Sequence, residues 1–147
     1  MRLELLCELE AAYRDLTFGP KFILLKPFGN EGGVAYGELD GSVKGEKLRG
    51  SIHLANHPDR RSDGVMLPDA HGVIKTDDDA FVLISMRGRT IFTEGQGAQV
   101  LSVLLYSDDD RYKWVNNTVG ILEGTFDGKS MTMRAKIYLC ASDSVRP

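Results

Sequence analysis

At 147 residues, with 42% hydrophobic and 27% charged residues and a formal net charge of −3, the chain has the length of one ordinary domain, able to bury a core of its own. That balance excludes a disordered segment, and the longest apolar run, FVLISM from Phe81 to Met86, is too short to cross a bilayer. Lys and Arg are scattered among acids, which excludes a polyphosphate-binding stripe, so neither nucleic acid nor a membrane is an expected partner.

The opening run RLELLCELE alternates in part, with Leu3, Leu5 and Cys7 on one face, although Glu and Leu suit a helix equally well. Glu4, Glu8 and Glu10 interrupt this start, so no secretory signal is read and a cytoplasmic location is expected. Cys7 and Cys140, near opposite ends of the chain, are then expected to be buried reduced thiols; pairing of the first and last strands would make a disulfide geometrically feasible. Between Ala11 and Gly33 the chain holds Phe18-Gly19-Pro20, a short run Phe22–Leu25, Pro27 and a turn over Gly29–Gly33, with room for one short helix.

After Gly33 strand patterns recur over Val34–Leu39, Lys47–Leu54, Gly64–Lys75, Ala80–Arg89, Ala98–Tyr106, Tyr112–Glu123 and Ser130–Cys140, separated by turn clusters. The last is the cleanest: Met131, Met133, Ala135, Ile137 and Leu139 share one face against Thr132, Arg134, Lys136, Tyr138 and Cys140. Asp127-Gly128 before it predicts a tight hairpin turn with glycine at positive φ. Asp69 to Arg89 reads as another hairpin, with the acidic turn Asp77–Asp79 at its tip and ionisable groups among apolar neighbours. Sixteen glycines and weak helical periodicity complete the prediction. The fold class is all-β, a single domain over residues 1–147 with about eight antiparallel strands in a closed or nearly closed barrel.

Several of these segments together resemble the DUF3237 (UPF0311) family of bacteria and fungi, from Gly37 onward. The resemblance rests on Leu48-Arg49-Gly50 with Asp59, on Asp63-Gly64, on Asp69-Ala70-His71 with Thr76-Asp77-Asp78, on Gly88, and on Asp110-Arg111-Tyr112-Lys113-Trp114-Val115-Asn116. It implies an antiparallel barrel of the calycin or allene oxide cyclase type with a small-molecule cavity along its axis or at its mouth, and it implies no particular reaction. The chain departs from the family pattern where a ligand would be touched. Ala55–Arg60 replaces a segment that in the family is glycine-rich and holds a tryptophan, His71 stands where arginine is usual, and Asp79 replaces a turn glycine.

The candidate catalytic group is Asp59, Asp69 and His71. Asp69 and His71 are two apart, so an extended strand points both to one side, and a carboxylate beside an imidazole suits proton transfer near neutral pH. An ordinary surface Asp–His pair is the competing reading. Arg49 and Arg87 are the candidate oxyanion holders: if the Arg49–Ser51–His53 face lines the barrel, Arg49 supplies a fork of donors, and if it faces solvent it is an ordinary surface group. Tyr112, Trp114 and Asn116, in register on one predicted strand, are candidates for an aromatic wall with one orienting amide, or alternatively a core tryptophan and a structural asparagine. The triplets Asp77–Asp79 and Asp108–Asp110 lack calcium-loop spacing, and His53, His57 and His71 lack zinc spacing, so no metal is expected.

No nucleophile motif is present, which disfavours covalent hydrolysis. The expectation is therefore a small-molecule-binding barrel, with a cofactor-independent isomerase, cyclase or lyase as the first reading. A non-catalytic carrier and a structural oligomerisation module are the alternatives, and a homodimer is the expected assembly.

Overall fold

A computed structural model describes residues 1–29 and 32–144. Among them are eleven strands: β1 (Arg2–Tyr13), β2 (Phe22–Leu25), β3 (Gly33–Lys44), β4 (Gly50–Asn56), β5 (Asp59–Arg60), β6 (Met66–Leu67), β7 (Asp69–Thr76), β8 (Phe81–Thr93), β9 (Gln96–Tyr106), β10 (Gly120–Asp127) and β11 (Thr132–Ala141). Eight of these close an antiparallel barrel in the cyclic order β1-β11-β10-β9-β8-β7-β4-β3, the last strand pairing back to β1. The all-β barrel expected from the sequence is the fold found. The only helical segment among the described residues is a short 3-10 stretch, Lys113–Asn117.

The alternation of each strand assigns its faces. On β9, Gly97, Gln99, Leu101, Val103 and Leu105 point inward and the residues between them point out. On β11 the buried set is Met133, Ala135, Ile137, Leu139 and Ala141; the first four are as the sequence predicts, while Met131 of the predicted face precedes the strand and is half-buried. Eight strands enclose a space just wide enough for side chains to fill, and Leu54, Ile74, Met86, Leu122 and Ile137 fill most of it. On β1 the single-face prediction fails because a bulge shifts the pairing between Leu5 and Cys7. Leu6 and Cys7 both turn inward, leaving Leu3 and Leu5 exposed. An extra residue in one strand re-aims every side chain after it, which simple alternation does not anticipate.

Two ends of the barrel differ. At one, the β7–β8 hairpin turns through Asp79 at φ 71°, and Asp78 Oδ1 accepts hydrogen bonds from Thr76 Oγ1 at 2.6 Å and Tyr112 Oη at 2.7 Å. Arg111 donates to the Asp78 carbonyl at 2.9 Å and forks onto Asp109, whose pKa falls to about 2, mainly through that hydrogen bond. The acidic tips are thus clamps that hold the 3-10 segment over this end. At the other end, β3 runs past the barrel wall and collects β2 on one edge and β5 on the other; β6 joins β5 and returns to β8 at Thr90. This annex raises one side of an open mouth.

Three local expectations change. No helix occurs between Ala11 and Gly33 among the described residues, and Asn30 and Glu31 of the expected turn lie outside them. The β10–β11 connection is Gly128–Met131 rather than a two-residue turn, and Met131, at φ 57°, takes the left-handed conformation. Asp127 sets that loop by accepting from Lys129 N at 2.9 Å and Ser130 Oγ at 3.0 Å. Finally, the predicted strand Tyr112–Glu123 begins only at Gly120, because Asn116 is tied in both directions to the Ser107 backbone at 2.8 Å.

Cys7 and Cys140 are free thiols on paired strands, but Cys140 is in register with Leu3. Four residues of strand, about 13 Å, therefore separate the two rows, and no disulfide spans them. Burial pushes the Cys7 thiol up to about 12, so it stays protonated at neutral pH. Iodoacetamide is expected to spare Cys7 in the folded protein and to modify it only after unfolding, as peptide mass mapping would show.

Candidate functional site

The residues proposed from the sequence do not meet around one cavity. Asp69, His71 and Arg87 do come together, but on the outer surface of β7 and β8. Arg87 forks onto the Asp69 carboxylate with both hydrogen bonds at 3.1 Å, and His71 Nε2 lies 2.8 Å from Asp69 Oδ1. Arg87 is the largest influence holding the Asp69 carboxyl below its usual range. A carboxylate so paired is a poor base, and the Arg87 and His71 side chains are 71% and 57% exposed. The competing reading, a surface cluster, fits this geometry.

Asp59 sits apart on β5, exposed beside a shallow depression of about 380 Å³ that His57 and Tyr36 also line. Arg49 precedes β4 and is exposed; its carbonyl accepts the Asp77 N–H at 2.9 Å. Leu48, Gly50, Ile52 and Leu54 are the residues that face inward there, which settles the choice left open for this strand. Trp114 and Tyr112 pack at the closed end, with the Lys47 ammonium 5.8 Å from the Trp114 ring. Tyr112 shares no strand face with Trp114 and Asn116, since the 3-10 turn replaces the strand there.

An apolar, half-open cavity lies at the mouth. It measures about 270 Å³ and is lined by Tyr13, Phe22, Asn56, Arg60, Phe92 and Phe126, among others, with Thr90 and Gln99 at its base. Beneath it, a void of about 30 Å³ touches Tyr13, Asn56 and Gln99 again, the volume of one hydroxyl or one water. A larger concavity of about 510 Å³ lies on the outer wall of β1, β3, β10 and β11. Its lining of Glu8, Glu10, Lys44, Arg134 and Lys136 is solvated charge of both signs, and no buried polar group converges there.

Each mouth residue follows from its strand. Phe22, Tyr13, Phe126 and Phe92 form a run of edge-to-face rings, with centroids 5.4, 5.8 and 6.1 Å apart, the arrangement that aromatic quadrupoles favour. Asn56 ends the inward series Ile52, Leu54, Asn56. Its Nδ2 donates to Tyr13 Oη at 2.9 Å and its Oδ1 accepts the Asp69 backbone N–H at 3.1 Å. The β7–β8 hairpin therefore contributes to the mouth through the Asp69 main chain, while the Asp69 carboxylate points away. Burial raises the pKa of Tyr13, which the Asn56 hydrogen bond only partly offsets, so its phenol is neutral at physiological pH.

Gln99 is the decisive residue. It is 8% exposed, its Nε2 donates to Thr90 Oγ1 at 3.0 Å, and its buried Oε1 has no hydrogen-bond partner among the described residues. Exchanging the amide O and N leaves the same result, because the threonine hydroxyl serves as donor or acceptor and one end of the amide remains unpaired. Such a group costs about 1–3 kcal/mol unless something meets it.

The sequence carries a signal for these residues that charge-centred reasoning passes over. Asn56, Thr90 and Gln99 are polar residues in the apolar phase of their strands, each at the same end of the barrel.

No family model matches the chain, and no curated protein matches it. Solved structures do. A β-barrel-like protein from Acinetobacter baumannii is 17% identical, with 94% of each chain covered and a TM-score of 0.80. A protein of unknown function from Clostridium acetobutylicum is 16% identical over 96% of this chain and all of its own, with a TM-score of 0.79. An enzyme from Penicillium herquei is 20% identical over 94% of this chain and 96% of its own, with a TM-score of 0.65. At these identities the likeness is one of fold. No helix of the described residues is long and apolar enough to cross a membrane.

Proposed function

We propose that this chain is a DUF3237-like small-molecule-binding barrel whose mouth takes a small, largely apolar metabolite carrying one hydroxyl or amine, which donates to Gln99. The unpaired Gln99 Oε1 at the base of an aromatic cavity carries the reading. Binding pockets commonly combine apolar walls with a few placed polar groups, and about 270 Å³ fits a ligand below drug size. The outer Asp69–His71–Arg87 cluster has no part in it, and no cofactor is required.

The test compares isosteric probes: 2-naphthol with 2-methylnaphthalene, and cyclohexanol with methylcyclohexane. Titrations followed by the side-chain amide resonances of Gln99 and Asn56 should show each hydroxyl probe binding about 10-fold or more tighter than its methyl partner. Equal affinities within each pair, or no binding by any probe, would sink the proposal.

A catalytic reading is the second, and the Penicillium herquei neighbour described as an enzyme is compatible with it. In that case the Tyr13 phenol, held by Asn56, is the proton-transfer group of a cofactor-independent rearrangement. Tyr13→Phe would then abolish turnover while leaving ligand affinity within a few fold.

A further inference from the structure

The outer wall carries a second feature, independent of the mouth. Phe81 and Leu83 on β8, Val100, Leu104 and Tyr106 on β9, and Val119 just before β10 are each between 39 and 61% exposed. Register makes them one strip, since Leu83 pairs with Tyr106 and Ser85 with Leu104. A contiguous apolar face of this kind, rather than scattered single residues, is what the core of a homodimer interface is built from.

We infer that this strip is the interface with a second copy of the chain, related by a two-fold axis running along β9. The charges beside the strip select the arrangement. Val100 lies between Arg89 on β8 and Glu123 on β10, directly in register with both. Among the described residues neither forms an ion pair: Arg89 donates only to the Gly88 carbonyl, at 2.9 Å, and Glu123 stands beside Lys136 without a salt bridge. A two-fold axis in the plane of contact and parallel to β9 exchanges the two sides of that strand, so Arg89 of one copy faces Glu123 of the other, twice. Val100, Leu104 and Tyr106 then pack against their own counterparts along the axis.

Convex barrels touch most closely along that line and diverge on either side. Long side chains flanking the line are what such a widening gap requires. A lipid surface would call for a uniformly basic rim, whereas this flank mixes both signs, Asp69 and Glu123 among Lys75, Arg87, Arg89 and Lys136.

Sedimentation velocity over a dilution series, with circular dichroism as the folding control, tests this. The wild type should be a dimer, and Leu104→Asp should raise its dissociation constant at least about 100-fold. Leu5→Asp, exposed beyond β11, should leave it unchanged. Arg89→Glu and Glu123→Arg should each weaken the dimer about 10-fold, and the two combined should restore it to within about 3-fold. A wild-type monomer at every concentration, a dimer indifferent to Leu104→Asp, a swap that fails to restore association, or a monomer that sediments with phosphatidylcholine–phosphatidylglycerol vesicles would each overturn the inference.

Discussion

Replacing Gln99 by leucine and Thr90 by valine together is expected to lower affinity for hydroxyl-bearing probes by about 10- to 100-fold without lowering thermal stability. The two side chains must change together because each is the other's only hydrogen-bond partner given by the structure, and Thr90 is 2% exposed. Gln99→Leu alone would orphan the threonine hydroxyl, exchanging one buried unpaired group for another. The double change removes the pair and the unpaired amide end at once, leaving apolar groups of similar size, a replacement that is near neutral or stabilising. The melting temperature should stay level or rise by about 3 °C, the equivalent of roughly 1 kcal/mol at this chain length. Methyl-bearing probes should bind the variant as well as they bind the wild type. A purely structural role for the Gln99–Thr90 pair predicts the opposite pattern, a fall in melting temperature with no change in probe discrimination. Calorimetry and the probe titrations together decide between them.

Gly72→Ala is expected to cost at least about 3 kcal/mol and lower the melting temperature by roughly 10 °C, or prevent folding. Strand propensity argues the other way, since alanine in place of glycine ordinarily gains about 0.5–1 kcal/mol. Sterics decide the sign. A Cβ on Gly72 would lie 1.9 Å from the His53 carbonyl oxygen and 2.9 Å from Leu54 Cα. Both are backbone atoms of the paired strand β4, so no side-chain rotation relieves the clash and the wall must open between β4 and β7. That seam carries Asn56 and the Asp69 backbone contact, so any residual folded fraction should also bind probes weakly. Gly95 is the control: at φ 81° with nothing within 4 Å of a built Cβ, Gly95→Asn should shift the melting temperature little, because asparagine tolerates the left-handed region. Chemical denaturation of both variants gives the comparison directly.

Reading charges among apolar neighbours as pocket groups led to the wrong face of the wall. On β7 and β8 the ionisable residues Asp69, His71 and Arg87 are the out-facing half of a regular alternation, and Ala70, Ile74 and Met86 are the in-facing half. The hairpin was legible because two alternating runs meet at an acidic turn. The local pairing of Asp69 with His71 was legible too, because residues two apart on a strand share a side. Tyr112 to Asn116 misled for a different reason. Their spacing suits a strand, but the two hydrogen bonds between Asn116 and the Ser107 backbone hold a 3-10 turn, and such contacts do not register in periodicity.

By itself the sequence determined the all-β class, the strand phase of β11, and the grouping of Leu48, Ile52 and Leu54 as one apolar series, whose inward placement the closed barrel then settled. Period-two alternation is a local property, and burial of one face enforces it. Only the tertiary structure decided where the strands end relative to one another around the closed wall. That stagger brings Tyr13, Asn56, Thr90 and Gln99, from β1, β4, β8 and β9, to one mouth, and sends the annex of β2, β5 and β6 over its side. Convergence of residues so far apart in the chain depends on barrel closure and on the β1 bulge, and neither leaves a local mark in the order of the amino acids.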